Sequence, residues 1–523
     1  MSHAPDRAAV SRELLSDWVG RWAKDRPDVQ ALSYREERWT WTQWHDRVRR
    51  ATGLLSAAGV RRGDRIAFLD KNNPVCLELT FAAAALGATI AIANWRLAGD
   101  ELAYVLRDSG ATILFAGSGF VTSIDAIDTR AAGIKQIIAI GGDADAYEQL
   151  LGESAAVGPS NHVSPEDAAL LVYSSGTTGR PKGVLLSQRA LVAHVANVAT
   201  RIPMGDGDKN LVAMPLFHVG GICYAFQGIR AGVPSIMTRE PDLSSLVDAL
   251  KDGATHAFFV PPIIASFLDA GESAITTLSH LRSLAYGAAP MPLPLLRRAL
   301  SAWPGVDFIQ VYGQTELSGV VTILDPADHR DPTRPHLLRS AGTAIAGTEI
   351  QITDVGTGTQ LPPGQQGEIR VRTQQAMTEY LNQPKATADT IAHGGWVRTG
   401  DVGHLDAEGF LFIDDRLKDL IITGGENVYG LEVERVLLDH PEIVDAAVIG
   451  IPDEHWGESV KAVIVATREL SAEDVIAFCR ERLAGYKCPR TVDTVTELPR
   501  NPTGKLLKRE LRQPFWSGHD RTV

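Results

Sequence analysis

The sequence predicts an α/β protein of more than one domain. It should have a large N-terminal part of layered α/β subdomains, a β-rich subdomain, and a small α+β domain at the C-terminus. Three observations carry this. The chain has 523 residues, more than one ordinary hydrophobic core accommodates. Over its first three hundred residues short apolar runs alternate with helical patterns, as strand–helix–strand units with largely parallel sheets require. Near residue 340 the texture changes to strands separated by turn-rich pieces, and after Asp415-Arg416-Leu417-Lys418 a compact α/β pattern resumes.

In chain order, Leu14, Leu15, Trp18, Val19 and Trp22 recur at helical spacing, with Pro27 beyond the end. They predict an amphipathic first helix whose tryptophans enter the core. Strands are expected at Arg65–Leu69, Thr89–Ala93, Thr112–Phe115, Gln136–Ile140, Ala168–Tyr173, Ser235–Met237, His256–Val260 and Ser283–Tyr286. The uncharged run from Leu79 to Trp95 is rich in Ala and Gly and too short for a membrane span; it reads as a buried helix running into a strand. The β-rich subdomain should hold strands at Glu349–Asp354, Gly367–Arg372 and Gly409–Asp414, separated by turns at Gly356-Thr357-Gly358, Pro362-Pro363-Gly364 and Asp406-Ala407-Glu408-Gly409. A helix from about Gly430 to His440 and a strand at Ala446–Ile451 begin the last unit.

With 44% apolar and 22% charged residues the composition is that of a folded globular chain. A net charge of −12 disfavours a nucleic-acid partner, so any anionic substrate must meet local positive charge. Cys76, Cys223, Cys479 and Cys488 are dispersed, which predicts neither a disulfide framework nor a zinc site and fits a reducing cytoplasm. The N-terminus lacks an apolar signal core. A cytoplasmic protein without a transmembrane segment is expected, and a homodimer is left open.

Five segments carry chemistry. Ser174-Ser175-Gly176-Thr177-Thr178-Gly179-Arg180-Pro181-Lys182-Gly183 follows an apolar strand. Its hydroxyls, its glycine amides and Lys182 suit a polyphosphate. The spacing differs from a Walker A loop, and Gly183 stands where that motif's Ser or Thr would follow the lysine. In Tyr312-Gly313-Gln314-Thr315-Glu316 the tyrosine can stack on a purine, and Thr315 and Glu316 offer oxygen ligands for Mg²⁺. Small residues in Tyr286-Gly287-Ala288-Ala289-Pro290 let a flat ring approach the backbone. Asp401, in Trp396–Asp401, is an acceptor suited to a ribose diol, with Arg416 able to complete the clamp. Pro499–Lys505 is a rigid turn ending in a lysine. Each of the last four alone would read as an ordinary turn, strand end or solvated charge.

Together and in this order, from about Leu14 to Leu511, they resemble the adenylate-forming superfamily, and within it the acyl-CoA synthetases. The resemblance implies ATP, Mg²⁺ and coenzyme A as reactants or cofactors and a small carboxylic acid as substrate. It implies that Ser174, Ser175, Gly176, Thr177, Thr178, Gly179 and Lys182 cradle the β- and γ-phosphates. Glu316 helps hold the metal, with Thr178 and Thr315 nearby. Tyr312, Gly313 and Gly287, Ala288 and Ala289 take the adenine, and Asp401 and Arg416 the ribose. Lys505 bridges the carboxylate and the α-phosphate. Lys418 is the hinge, which divides an adenylation domain over 1–415 from a mobile domain over 419–523. Gly424, Gly425 and Glu426 then line the pantetheine tunnel.

His218 matches a family histidine at the acyl pocket, with Val219, Gly220, Phe259 and Val260 as further walls. Relatives that activate α-amino acids carry an aspartate there, so a substrate without an α-amino group is expected. Residues 215–229 contain no Lys, Arg, Asp or Glu, and an apolar monocarboxylic acid, fatty or aromatic, fits best. The alternative is an acyl-AMP ligase that loads a carrier protein, or an aromatic-acid CoA ligase. Thr373 stands where the family has a glycine, which leaves the course of Arg372–Tyr380 open.

Overall fold

The computed structural model describes residues 13–97, 99–120, 124, 127–142, 145–174, 180–500 and 506–516. Two large sheets form the N-terminal part. The first has seven strands, in the order Glu379–Tyr380, Lys182–Ser187, Ala168–Ser174, Thr89–Ile92, Arg65–Leu69, Ile113–Gly117 and Gln136–Ile140. The second has nine: Thr343–Ala344, Gly319–Leu324, Asp307–Gln314, Ser283–Gly287, His256–Phe259, Asn210–Val212, Ser235–Met237, Gln30–Tyr34 and Glu37–Thr40. Both are parallel in the middle; the second is antiparallel at both edges, the first only at the edge formed by Glu379–Tyr380 and Lys182–Ser187. The expected apolar runs supply every parallel strand of the first sheet; in the second, Gln30–Tyr34, Asn210–Val212 and Asp307–Gln314 join the parallel centre without having been expected.

One core joins the two sheets. It contains Phe68 and Ile92 from the first, Val212 and Met237 from the second, and Trp18, Trp44, Phe81, Val192 and Phe226 from five helices. The first helix, Leu15–Asp25, places Trp18 edge-on to Phe81 at 6.3 Å and to Phe226 at 5.9 Å. The uncharged run forms helix Pro74–Leu86 and then strand Thr89–Ile92, as predicted. Asn73 caps that helix by accepting the Val75 amide, and Gly87 ends it in the left-handed conformation at φ +70°. Its only charged residue, Glu78, is fully buried and held by Arg47 at 2.6 Å and the Tyr147 hydroxyl at 2.7 Å.

The third sheet has five strands: Thr348–Thr353, Gly367–Thr373, Trp396–Leu405 and Ile391–Ala392 in order, with Leu411–Arg416 also on Trp396–Leu405. The strand expected at Gly409 starts two residues later. Asp406 accepts the amides of Glu408 and Phe410, and Gly409 takes φ +87°, so the turn claims the residues up to Phe410. The fourth sheet is built on the long hairpin of Ile443–Asp453 with Gly457–Ala466. Helix Gly430–Leu438 packs on it, with Val433 and Leu437 in its core.

Charged side chains tie this last unit to the strand that leads into it. Asp415 accepts the Gly430 amide and Arg512 pairs with Asp419 at 2.8 Å; within the unit, the buried Lys508 pairs with Glu434 at 2.7 Å. All four cysteines are buried and free. Among the described residues no helix is long and apolar enough to cross a membrane.

Candidate active site

Ser174, Gly287 and Tyr312 lie at the carboxyl ends of parallel strands, where open α/β sheets bind ligands. Ser174 ends one strand and Lys182 begins the next, paired across the antiparallel ladder. Ser175, Gly176, Thr177, Thr178 and Gly179, between them, lie outside the described residues. Glu316 arrives from the second sheet on a short 3₁₀ turn, Thr315–Leu317, and is buried. Its Oε1 accepts the Tyr380 hydroxyl at 2.7 Å and lies 3.5 Å from Ser174 Oγ. The Lys182 ammonium sits 4.8 Å from the centre of the Tyr380 ring.

Tyr380 was not foreseen, and the odd segment supplies it. Thr373 continues its strand and pairs with Thr348. The chain then crosses to the first sheet: Met377 donates to the Glu316 carbonyl, Thr378 to Leu185, and Tyr380 pairs with Val184. The only sequence signal was the departure at Thr373.

A second cluster joins the second and third sheets. Asp401 is buried and pairs in register with Arg416 on the neighbouring strand. Its carboxylate accepts the Tyr312 hydroxyl at 2.7 Å and pairs with the Arg416 guanidinium, Nε lying 3.1 Å away. Burial, and then the Asp401 charge, push the Tyr312 phenol well up, so it stays a donor; Asp401 in turn raises the Arg416 guanidinium. Thr315 stands at the head of the 3₁₀ turn, three residues beyond Tyr312. Gly313 must be glycine, because a Cβ there would sit 1.7 Å from the Gly319 carbonyl oxygen at a bulge. Gly287 is equally constrained, with Val311 O 2.3 Å from where its Cβ would be. Ala288 takes φ +63°, a conformation an alanine rarely adopts, and is exposed together with the partly exposed Ala289.

The residues expected to wall the acid centre on His218, which starts helix Val219–Ala231. Its ring is 4.2 Å from that of Phe217. Nε2 is buried and has no hydrogen-bond partner among the described residues. Burial, and then the charge of Arg96, lower the imidazole to about 4, so it is neutral at physiological pH. A Cβ on Gly220 would come 3.0 Å from the Phe258 ring. The aromatic ring that the second sheet brings against Gly220 is therefore that of Phe258. Phe259, on the opposite face of the strand, stacks on Phe267 in the core, and Val260 caps the next helix.

Lys418 lies in the 3₁₀ turn Leu417–Asp419, and its carbonyl accepts from Arg512 at 3.4 Å. Gly424, Gly425 and Glu426 are exposed on a hairpin of the fourth sheet and are not brought to the clusters above. A Cβ on Gly424 would meet the Trp456 ring at 2.6 Å, whereas nothing lies within 4 Å of one on Gly425. What Gly425 requires is its backbone, at φ +84°. Trp456 is partly exposed and carries the Arg490 guanidinium 4.5 Å above its ring, a cation–aromatic pair that motif spacing did not announce. Lys505 lies outside the described residues.

The donors present suit a Mg²⁺ ion in an ATP site. Such ions commonly take one or two carboxylates, with waters and substrate phosphates completing the shell. Glu316, with Ser174 beside it, is such a set. Among the described residues no cluster of three or more His, Cys, Asp or Glu forms a self-sufficient metal cage.

Comparison with known proteins agrees with this geometry. The chain is 35% identical over 96% of its length, and 96% of the relative's, to a fatty acid–[acyl-carrier-protein] ligase, ScoC, of Streptomyces coeruleorubidus. It is 36% identical to an indoleacetate–CoA ligase of Aromatoleum aromaticum, covering 95% of this chain and 98% of that one. The solved o-succinylbenzoate coenzyme A synthetase of Bacillus subtilis, in complex with ATP and magnesium, superposes with a TM-score of 0.81 at 31% identity, covering 94% of this chain and 98% of that one. The profile of the AMP-binding enzymes matches residues 19–381 and that of their C-terminal domain residues 432–505. The chain belongs to the family of AMP-binding enzymes, the adenylate-forming ligases that its motifs resemble.

Proposed function

We propose that the chain is an ATP-dependent acid–thiol ligase that makes acyl-AMP and then acyl-CoA. In the first step a carboxylate oxygen attacks the α-phosphorus of ATP. The bond to the bridging oxygen breaks and pyrophosphate leaves. In the second the coenzyme A sulfur, losing its proton, attacks the acyl carbon, and AMP leaves. The observation that carries the reading is the Tyr312–Asp401–Arg416 cluster: a buried carboxylate fixed by one hydroxyl donor and one paired guanidinium, with lone pairs left for a ribose diol.

Each half-reaction needs different help from the chain. The first joins two anions, so fixed positive charge must offset their repulsion. Lys182, with Ser174 and the loop up to Gly179, holds the outer phosphates. Lys505 is assigned the charge that develops on the α-phosphate and carboxylate. Tyr312, Gly313 and the Gly287–Ala289 turn seat the adenine, and Thr315 stands beside the phosphates. Mg²⁺ at Glu316 would neutralise phosphate oxygens.

The second half-reaction needs a thiol led to the adenylate. Rotation about Lys418, between an adenylation domain over 1–415 and a domain over 419–523, would bring Gly424–Glu426 to the site. The acid lies against His218, Val219 and Gly220. Phe217 and Phe258 make this wall largely apolar, as a fatty or aromatic acid requires.

A second reading, loading of a carrier protein in place of coenzyme A, is favoured by the similarity to an acyl-carrier-protein ligase. Both readings are tested by following AMP and pyrophosphate release from acids with coenzyme A or a pantetheinylated carrier protein. Thioester on coenzyme A is expected; AMP release that needs the carrier selects the second reading, and ATP turnover that ignores the acid contradicts both.

A further inference from the structure

The acid wall contains a cation that motif spacing did not point to. Arg96 lies in the turn after strand Thr89–Ile92, which is the parallel neighbour of the strand that ends in Ser174. Its backbone is fixed where Asn94 Oδ1 accepts the Arg96 amide at 3.0 Å. Its guanidinium carbon lies 4.4 Å from the centre of the Trp95 ring and 5.6 Å from that of Phe217, whose ring adjoins His218. Trp95 is itself packed edge-on to Phe217 at 6.4 Å. The acid nearest in charge, Glu240, is taken by Lys71 at 2.5 Å. Among the described residues Arg96 Nη1 is buried with no hydrogen-bond partner, and so is His218 Nε2. A buried guanidinium nitrogen without a partner is costly unless a ligand completes it.

We propose that Arg96, with His218 beside it, receives a carboxylate of the substrate acid and so determines which acids the enzyme accepts. The inference rests on the ligase reading above and adds a charged end to a pocket otherwise apolar. The carboxylate has two sources: the one that reacts with ATP, or a second one on the acid's tail. Arg96 binds and places; it takes no proton and forms no bond.

Thermal stabilisation of the full chain by octanoate, by suberate of the same length with a second carboxylate, and by ATP tests this without turnover. Octan-1-ol serves as the uncharged control. Arg96→Met should weaken acid binding about 10- to 100-fold, the usual scale for losing a charged hydrogen-bond partner, while the ATP response stays within about twofold. Arg96→Lys should recover most of the loss. If octanoate and suberate weaken together, Arg96 holds the reacting carboxylate; if suberate alone weakens, it holds the tail. Three results contradict the proposal: acids binding Arg96→Met as they bind the parent, neither acid stabilising the parent, or acid and ATP responses lost together in both variants. Failure of the parent to turn over any acid would instead overturn the ligase reading and leave these binding results to decide this one.

Discussion

Around Asp401 and Glu316 the polar side chains meet one another, and around His218 and Arg96 they do not. Asp401 is engaged by Tyr312 and Arg416, and Glu316 by Tyr380. His218 Nε2 and Arg96 Nη1 are buried without partners among the described residues. The nucleotide side is thus assembled by the fold, from strand registers that pair Asp401 with Arg416 and Ser174 with Lys182. The proposed acid side leaves those two nitrogens, of His218 and Arg96, without partners among the described residues. Preorganisation suits the partner every turnover shares, and open donors suit the partner that differs between enzymes.

Substitutions on the two sides should therefore fail differently. Lys505→Ala carries the largest expected effect, a loss on the order of 10²- to 10³-fold in pyrophosphate release, with thioester formation from supplied acyl-AMP retained. Equal loss in both steps would remove Lys505 from its assigned role. Asp401→Asn comes next: it empties a charged acceptor and should raise the KM for ATP about 10- to 100-fold with little change in acid selectivity. Gly425→Leu forces a side chain into φ +84° and should slow thioester formation so that adenylate accumulates. Normal coenzyme A consumption in that variant would show the hairpin to be elsewhere. Tyr380→Phe removes one hydroxyl from Glu316, and a loss of about tenfold or less in ATP affinity is expected, read most clearly as a shifted Mg²⁺ dependence.

The smallest effect is one of stability. His218 titrates near 4 when folded, against 6.5 when free. Between those values the unfolded chain binds a proton that the folded chain refuses, so stability falls as pH drops from 6.5 towards 4. His194, lowered to about 3, and His329, to about 4, act in the same direction. His218→Asn should make the decline of Tm over that range shallower, whereas an unchanged slope would place the ring in solvent.

Much of this was legible in the sequence because it was local. Apolar runs marked the parallel strands of the first sheet and three of those in the second, whereas the need for glycine at 287 and 313 comes from neighbouring strands that the sequence does not disclose. Tyr380 and Arg96 were hidden for the opposite reason. Each reaches its partners through tertiary contact: Tyr380 by a crossing between sheets, Arg96 from a turn far from His218 in sequence. Phe258 and Phe259 differ only in strand face, which an unbroken apolar run does not disclose. Gly424 and Gly425 look alike in sequence, yet Trp456 crowds one and leaves the other open.

The comparison between the two sides is tested most directly by the rate of pyrophosphate release across acids of graded length and aromaticity, with and without coenzyme A. The account predicts release that requires an acid, a KM for ATP that stays within about threefold across the series, and a KM for the acid that ranges over more than about tenfold. Release without any acid, or a KM for ATP that tracks the identity of the acid, would contradict it.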